Sequence, residues 1–189
     1  MRILAIGDVV GNIGCRFLRK RLPALKKLKG VDLVIANGEN SADGNGVTPI
    51  SADFLFSSGV DVITTGNHSF RRREIYPYYD DAPYILRPAN FPEKTTPGNG
   101  TLIYDMGRVQ VCVINLMGCV FLENLKDPYE TIDEILKKNT AKITILDFHA
   151  EATAEKLAMG YYLDGRISAM FGTHTHVQTA DECIFENGM

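Results

Sequence analysis

The residues best suited to metal and proton chemistry in this chain are its four histidines and the polar residues near them. Two of the histidines, His174 and His176, stand in the run Gly-Thr-His-Thr-His. On an extended segment alternate side chains point to the same face, so this spacing predicts that both imidazoles lie on one side. Nothing in the packing of a strand requires such a pair. We therefore interpret the two histidines as metal ligands.

The other candidate residues lie at or just after the ends of short apolar runs that predict strands. In α/β sheets this edge binds ligands, because the strand ends converge there and the loops are free to carry function. Carboxylate, amide and imidazole groups suit Mn, Fe, Zn or Mg better than they suit a structural zinc site held by thiolates. These candidates are Asp8, Glu39, Asn40, Asn67, His68 and His149.

The number of candidate ligands is larger than one tetrahedral ion needs, and a carboxylate such as Glu39 can bridge two ions. The set therefore predicts two metal ions. Two ions about 3.5–4 Å apart stabilise the attacking and leaving oxygens of a displacement at phosphorus and lower the pKa of a water between them. Taken alone, Asp8 or Asn40 is better explained as a turn or helix-cap residue. The prediction depends on all the ligands together.

The elements that must position these residues are strands alternating with helices. Short apolar runs predict strands buried on both faces, which is typical of a sheet covered by helices. A further pair of runs, 101–105 and 109–115, flanks Met-Gly-Arg and predicts an antiparallel hairpin. The fold class is therefore α/β, with mixed β-sheets flanked by helices. The strands predicted to be buried cover residues 3–6, 31–36, 60–64, 143–148 and 167–171.

Three helices are predicted between these strands. Leucines at helical spacing indicate an amphipathic helix over 16–29, interrupted or restarted at Pro23, whose basic residues are better explained as a solvated face than as a nucleic-acid patch. A second helix is predicted over 127–138, where Asp127 is the N-cap and Pro128 the first helical residue. A third is predicted over 151–161, and the proline-rich stretch 83–100 is predicted to be irregular.

Composition and length narrow the class of protein. The chain has 189 residues, with 20 basic against 23 acidic side chains and a net charge of −3, which does not support general attraction to nucleic acid or to anionic membranes. Its four cysteines lack CxxC spacing and are predicted to be reduced thiols. The apolar run at the N-terminus is too short for a signal peptide or a membrane span. These features predict one cytoplasmic domain covering residues 1–189.

The candidate residues fall in ordered blocks that resemble those of the calcineurin-like metallophosphoesterases. The closer resemblance is to the YmdB-type bacterial 2′,3′-cyclic-nucleotide phosphodiesterases, and it extends from Met1 to Glu182. Two features favour that subgroup: no histidine follows Asp8 in the first block, and Glu39 stands where a bridging aspartate is usual. The blocks are Gly7-Asp8, Asn37-Gly38-Glu39-Asn40, Gly66-Asn67-His68, Asp147-Phe148-His149 and Gly172-Thr173-His174-Thr175-His176.

The resemblance implies a metallophosphoesterase-like fold, two divalent transition metals (Fe, Mn or Zn) and a cyclic nucleotide or small phosphoester as substrate. It implies that hydroxide between the ions attacks phosphorus and that His68 protonates the leaving oxygen. We also predict a homo-oligomer and a link to RNA, and no membrane partner. By resemblance, one ion is held by Asp8, Glu39, Asn40 and His176, and the other by Glu39, Asn67, His149 and His174.

The chain departs from the family after the Gly-Asn-His block and at its end. The family typically continues with an aromatic residue and an acid, whereas here Arg71, Arg72 and Arg73 follow closely. These arginines are weak candidates for binding phosphate or a nucleic-acid backbone, and a solvated helix start is the favoured alternative. The family also continues for several tens of residues beyond His176. We therefore expect C-terminal strands to be missing, either through truncation or with neighbouring chains covering the exposed edge.

Three other functions stay open at this stage. A phosphomonoesterase or nucleotidase could use the same metal site, and a metal-binding regulatory protein could keep the site without turnover. A nucleotide-binding module is suggested by Gly7, Gly11 and Gly14, but their spacing differs from G-x-G-x-x-G and no acidic residue ends the second strand in the ribose-binding manner.

Overall fold

A computed structural model describes all 189 residues. The chain divides into two compact units. The first unit comprises Met1–Arg87 and Pro97–Asn99, and the second comprises Pro88–Thr96 and Gly100–Met189. Each unit has its own four-stranded sheet with helices. The α/β class with sheets flanked by helices is thus confirmed, whereas the prediction of a single domain over 1–189 stays a prediction.

The first unit is built on a fully parallel sheet with the strand order β1-β2-β3-β4. Each crossover between neighbouring strands contains one helix, as parallel pairing requires. All four strands therefore end at the same edge of the sheet. The elements are β1 (Ile3–Ile6), α1 (Gly11–Lys29), β2 (Leu33–Asn37), α2 (Pro49–Ser57), β3 (Val62–Thr64), α3 (Ile75–Asp81) and β4 (Ile85–Leu86).

The second unit has a mixed sheet with the strand order β5-β6-β7-β8. The predicted hairpin is confirmed, since β5 and β6 are antiparallel, while β6, β7 and β8 are parallel to one another. The elements are β5 (Thr101–Asp105), β6 (Gln110–Met117), α4 (Pro128–Lys138), β7 (Ile143–Ala150), α5 (Thr153–Leu163) and β8 (Ala169–His174).

Central strands supply most of each core. Every residue of β2 is buried, and Val34 and Ala36 pack with residues of α1 and α2. In the second unit Leu146 and Phe148 of β7 belong to a cluster that includes Met159 of α5. The continuous apolar runs in the sequence correspond to strands that helices cover.

The burial prediction was wrong for two strands. β1 is only partly buried, and β8 contains exposed residues at Ala169 and Gly172. Both are edge strands in their sheets, so each has a neighbour on one side only. An apolar run shows that a strand forms but does not reveal its place in the sheet order.

The helices also differ in part from the predicted ones. α4 matches its prediction, because Asp127 caps it by accepting hydrogen bonds from the backbone N–H groups of Tyr129 (2.7 Å) and Glu130 (2.9 Å). α1 begins earlier, at Gly11, and continues through Pro23, so the predicted interruption was wrong. Pro23 is exposed, and packing of the buried Leu22 helps hold the helix across it.

The structure also gives the state of the cysteines and the lengths of the helices. All four cysteines are free thiols, with Cys15 and Cys112 buried and Cys183 exposed. None of the helices combines the length and the apolar composition needed to cross a bilayer.

Candidate functional site

The loops after β1, β2 and β3 carry five of the predicted site residues. Asp8 follows β1, Glu39 and Asn40 follow β2, and Asn67 and His68 follow β3. Backbone hydrogen bonds connect the loops: Val9 N–H donates to Asn37 O (2.9 Å), Gly11 N–H to Asn40 O (2.8 Å) and Gly38 N–H to Thr64 O (2.9 Å). The end of β2 therefore anchors the loops on either side of it.

Glu39, Asn40 and His68 are in direct contact. The backbone N–H of His68 donates to Glu39 Oε2 at 3.0 Å. The Nδ1 atom of the same histidine lies 2.8 Å from Asn40 Oδ1 and 3.3 Å from Glu39 Oε1. The Glu39 carboxylate is only 1% exposed, and a buried carboxylate is costly without hydrogen bonds and a nearby positive charge. This donor set fits a divalent cation.

Gly38 fixes the course of the chain that presents Glu39. A Cβ atom at this position would lie 2.8 Å from Ile63 Cγ2, which is closer than real Cβ contacts, and a tight 3.0 Å from Leu55 Cδ1. Glycine is therefore the residue that lets this turn pack against β3 and α2.

His149 is held on β7 of the second unit. It is fully buried, and Thr173 is its partner in the register of β7 with β8. The Thr173 hydroxyl donates to Asp147 Oδ1 at 2.7 Å, and His149 Nδ1 lies 2.9 Å from Thr173 Oγ1. A hydroxyl has one proton, so Thr173 accepts from His149 and the imidazole proton lies on Nδ1. The Nε2 atom of His149 is then an acceptor.

His174 faces that acceptor. Its Nε2 lies 2.8 Å from Glu151 Oε2, which places a proton on Nε2, and its Nδ1 lies 3.2 Å from His149 Nε2. Two nitrogen lone pairs at this separation need either a shared proton or a bound cation between them. Two nitrogens bound about 2.1 Å from one metal ion are separated by roughly 3.0–3.4 Å at ordinary coordination angles. The histidine pair therefore fits a metal ion.

The predicted geometry of the His-Thr-His run was wrong. His174 has φ 94° and His176 has φ 51°, so both have left-handed backbone rather than the extended backbone on which the one-face prediction depended. Such conformations are uncommon for residues other than glycine and are concentrated at functional sites. His174 ends β8, and His176 is exposed beyond it. The ligand role of His176 stays a prediction.

The three arginines after His68 are not equivalent. Arg72 donates from Nε to Asn45 O (2.9 Å) and from its guanidinium to Asp43 O (2.5 Å), so it holds the loop between β2 and α2. Arg71 and Arg73 are exposed. All three precede α3, which begins at Ile75, so they form a turn rather than a helix start.

Two cysteines and one tyrosine are poorly suited to chemistry at neutral pH. Burial raises the pKa of the Cys112 thiol to about 11, and burial also raises the pKa of Cys15. Burial likewise raises the pKa of Tyr79, whose hydroxyl lies 3.2 Å from Thr65 Oγ1. Neither thiol is therefore ionised to a thiolate at neutral pH, and the Tyr79 hydroxyl stays protonated.

Three residues around the histidines were not identified as site residues from the sequence. Thr173 and Glu151 contact His149 and His174 directly, and Asp147 accepts a hydrogen bond from Thr173. Asp147 and His149 alternate on one strand, so period-two spacing places them on the same face of β7. That spacing was the available signal. The contribution of Thr173 depends on strand register, which the sequence does not reveal.

Comparison with solved structures defines the class first. The chain superposes with a TM-score of 0.65 on a Staphylococcus aureus protein described as a 5′-nucleotidase candidate, at 19% identity and covering 87% of this chain and 40% of that one. It superposes with a TM-score of 0.92 on a Mycoplasma pneumoniae structure described as a novel phosphatase, at 31% identity and covering 98% of this chain and 68% of that one. The fold is that of the metallophosphoesterases.

Sequence comparison then gives the family. A family model described as "YmdB-like protein" matches residues 4–189, so the chain belongs to the YmdB-like family. A Bacillus subtilis (strain 168) relative described as a 2′,3′-cyclic-nucleotide 2′-phosphodiesterase is 49% identical over 191 residues, covering 100% of this chain and 72% of the relative. The resemblance seen in the sequence is confirmed, and the chain is a phosphoesterase of the hydrolase class.

Proposed function

We propose that this chain is a metal-dependent phosphodiesterase that hydrolyses 2′,3′-cyclic nucleotides or related phosphoesters. The observation that carries the proposal is the pairing of His149 Nε2 with His174 Nδ1 at 3.2 Å, since that arrangement suits a shared metal ion. The description of the Bacillus subtilis relative supports the substrate class.

The proposed cofactors are two divalent transition metals, with Fe, Mn and Zn all compatible with these ligands. When bound, such ions neutralise charge on the phosphoryl oxygens and lower the pKa of water. The burial of Glu39 and its contacts with Asn40 and His68 support a cationic neighbour in the first unit. The proposed ligands are Asp8, Glu39, Asn40 and His176 for one ion, and Glu39, Asn67, His149 and His174 for the other.

His68 is the proposed general acid. Its Nδ1 edge is occupied by Asn40 and Glu39, so the ring is fixed and Nε2 is the nitrogen available to a substrate. The side chain is 22% exposed, so a ligand can reach it. In hydrolysis a water oxygen bonds to phosphorus and releases a proton to solvent. The bond from phosphorus to one ribose oxygen breaks, and the Nε2 proton of His68 passes to that oxygen.

Arg71 and Arg73 are the proposed contacts for substrate phosphate. Their guanidinium groups are on exposed residues, whereas that of Arg72 is held by two backbone carbonyls. An exposed guanidinium can donate two hydrogen bonds to phosphate oxygens without losing a structural contact.

A phosphomonoesterase is the second candidate, because the Mycoplasma pneumoniae relative is described as a phosphatase. Comparison of 2′,3′-cyclic AMP with 3′-AMP separates the two activities. Faster hydrolysis of the cyclic diester supports the proposal, and faster hydrolysis of 3′-AMP supports the phosphomonoesterase. Bound metal without hydrolysis of either compound would support a regulatory metal-binding protein.

The central test measures metal content and activity of the purified protein together. We expect about two metal ions per chain and hydrolysis of bis-p-nitrophenyl phosphate. Asp8→Ala and His176→Ala should each lose most of this activity, because each removes a proposed ligand. Full activity in both variants would overturn the proposal. Ala24→Ser, on the exposed surface of α1, is a suitable control.

The four free thiols also support a reducing, cytoplasmic location. The homo-oligomer and the link to RNA stay predictions.

A further inference from the structure

A hydrogen-bonded chain of three buried side chains lies behind the histidine pair of the second unit. Asp147 and His149 are fully buried and Thr173 is 3% exposed. The Asp147 carboxylate accepts from the Thr173 hydroxyl at 2.7 Å, and that hydroxyl lies 2.9 Å from His149 Nδ1.

The chain of hydrogen bonds has one direction. A carboxylate only accepts, so the single hydroxyl proton of Thr173 points to Asp147. The hydroxyl oxygen can then only accept from His149 Nδ1. The proton of the neutral imidazole is thereby kept on Nδ1, and the Nε2 lone pair faces His174 Nδ1, 3.2 Å away.

Loss of the hydroxyl would remove this constraint. A neutral imidazole readily takes either tautomer, and the tautomer with a proton on Nε2 cannot bind a metal through that atom. Mutation of a partner that orients a ligating histidine in this manner typically lowers metal affinity by about 10–100-fold. The partner of His174 is different, because the Glu151 side chain is 47% exposed and competes with water.

We propose that Thr173, backed by Asp147, is a positioning residue that fixes the tautomer of His149 for metal binding. This inference rests on the proposed metal centre for its purpose, but the tautomer itself is a property of the metal-free protein. The two can therefore be tested separately.

The test compares Thr173→Val, which keeps the shape and removes the hydroxyl, with Thr173→Ser, which keeps the hydroxyl. Thr144→Val is the matched control, because Thr144 is also buried on β7 and its hydroxyl accepts from Asn139 Nδ2 instead. Circular dichroism and thermal unfolding check that each variant is folded. The readouts are metal ions per chain, metal affinity, and the ¹⁵N NMR pattern of His149 in metal-free protein.

We expect wild type, Thr173→Ser and Thr144→Val to show the Nδ1–H tautomer and full metal content. Thr173→Val should show a mixture of tautomers and a metal affinity lower by about 10–100-fold for one of the two ions. Unchanged tautomer and affinity in Thr173→Val would overturn the inference. So would an Nε2–H tautomer in the wild type, a result that does not require the valine variant to fold.

Failure of the proposed function has a different signature. In one outcome, wild type binds no divalent metal while His149 still shows the Nδ1–H tautomer that Thr173→Val loses. In that case Thr173 does fix the tautomer, and the proposal of a metal centre is wrong. If wild type binds two ions and Thr173→Val binds them equally well, the proposal of a metal centre is supported and the positioning role of Thr173 is wrong.

Discussion

Asn40 Oδ1 lies 2.8 Å from the Nδ1 atom of His68, so a residue from the loop after β2 orients one from the loop after β3. The same loops are joined by the hydrogen bond from the His68 backbone to Glu39. The imidazole is therefore fixed at its ring nitrogen and at its backbone. In the proposed role of proton donor, an imidazole held in this way needs little reorganisation to meet a leaving group.

Replacement of His68 should separate proton transfer from metal binding. His68→Ala is expected to lower kcat about 10²–10⁴-fold, the usual contribution of a general acid, and to leave the metal content unchanged. Activity assays paired with metal analysis measure both quantities.

Asn40→Ala is the informative comparison, because it should reduce both metal content and activity if Asn40 is a ligand as well as a partner of His68. A p-nitrophenyl leaving group, which needs little protonation, should be less affected by His68→Ala than a cyclic nucleotide. Equal losses on the two substrates would contradict the acid role of His68.

Substitutions of Arg71, Arg72 and Arg73 should separate a contribution to stability from a contribution to substrate binding. Arg72→Ala should lower the free energy of unfolding by about 1–3 kcal/mol, because its charged hydrogen bonds to the Asp43 and Asn45 carbonyls are lost. Arg71→Ala and Arg73→Ala remove exposed side chains, so they should change stability little and raise KM for a phosphoester instead. Urea unfolding and steady-state kinetics on the three variants check this division. A destabilisation common to all three would show that the contrast between them is wrong.

Local sequence signals predicted the elements that depend on local causes. The N-terminus of α4 was predictable because Asp127 and Pro128 act within one helical turn. The apolar run of β7 was predictable because the strand is buried on both faces. α2 was not predicted, although Thr48 and Ser51 form a local cap before it, since its sequence from Pro49 to Ser57 lacks a polar stripe.

Features of the site that depend on pairing between strands could not be predicted from the sequence. The residue types of the site and their positions near strand ends could be predicted, because strand ends carry ligands in α/β folds. The left-handed backbone of His174 and His176 could not, since it follows from how the chain leaves β8. The contact of Thr173 with His149 depends on the register of two strands that are far apart in sequence.

The thiols should differ sharply in their reaction with an alkylating reagent. Cys183 is exposed and should react first in the folded protein, while Cys15 and Cys112 are buried, with the pKa of each thiol raised by that burial. Both should react only after unfolding. Mass spectrometry of peptides after timed labelling measures the order, and Cys183→Ser is the control that removes the fast phase. Rapid labelling of Cys112 in native protein would contradict the packing of β6.

The ion pair between Asp133 and Arg166 should make stability depend on pH in the acid range. The Arg166 guanidinium lies 2.6 Å from Asp133 Oδ1 and the Tyr162 hydroxyl 2.8 Å from Oδ2, and the hydrogen bond from Arg166, then that from Tyr162, holds the pKa of Asp133 below its usual value. Because the folded pKa is the lower one, the unfolded chain binds the proton more tightly. The stabilisation is therefore present above the ordinary aspartate pKa of about 3.9 and is lost as the pH falls through the folded pKa.

Asp133→Asn tests this relationship, because it keeps the shape of the side chain and removes its charge. Wild type should be more stable than Asp133→Asn at neutral pH, and the difference in free energy of unfolding should shrink as the pH is lowered past about 4. Urea unfolding at a series of pH values measures the difference. Asp181→Asn, at an exposed position in the same unit, should show no comparable trend. A difference between wild type and Asp133→Asn that stayed constant down to the lowest pH would mean that the charge of Asp133 does not contribute.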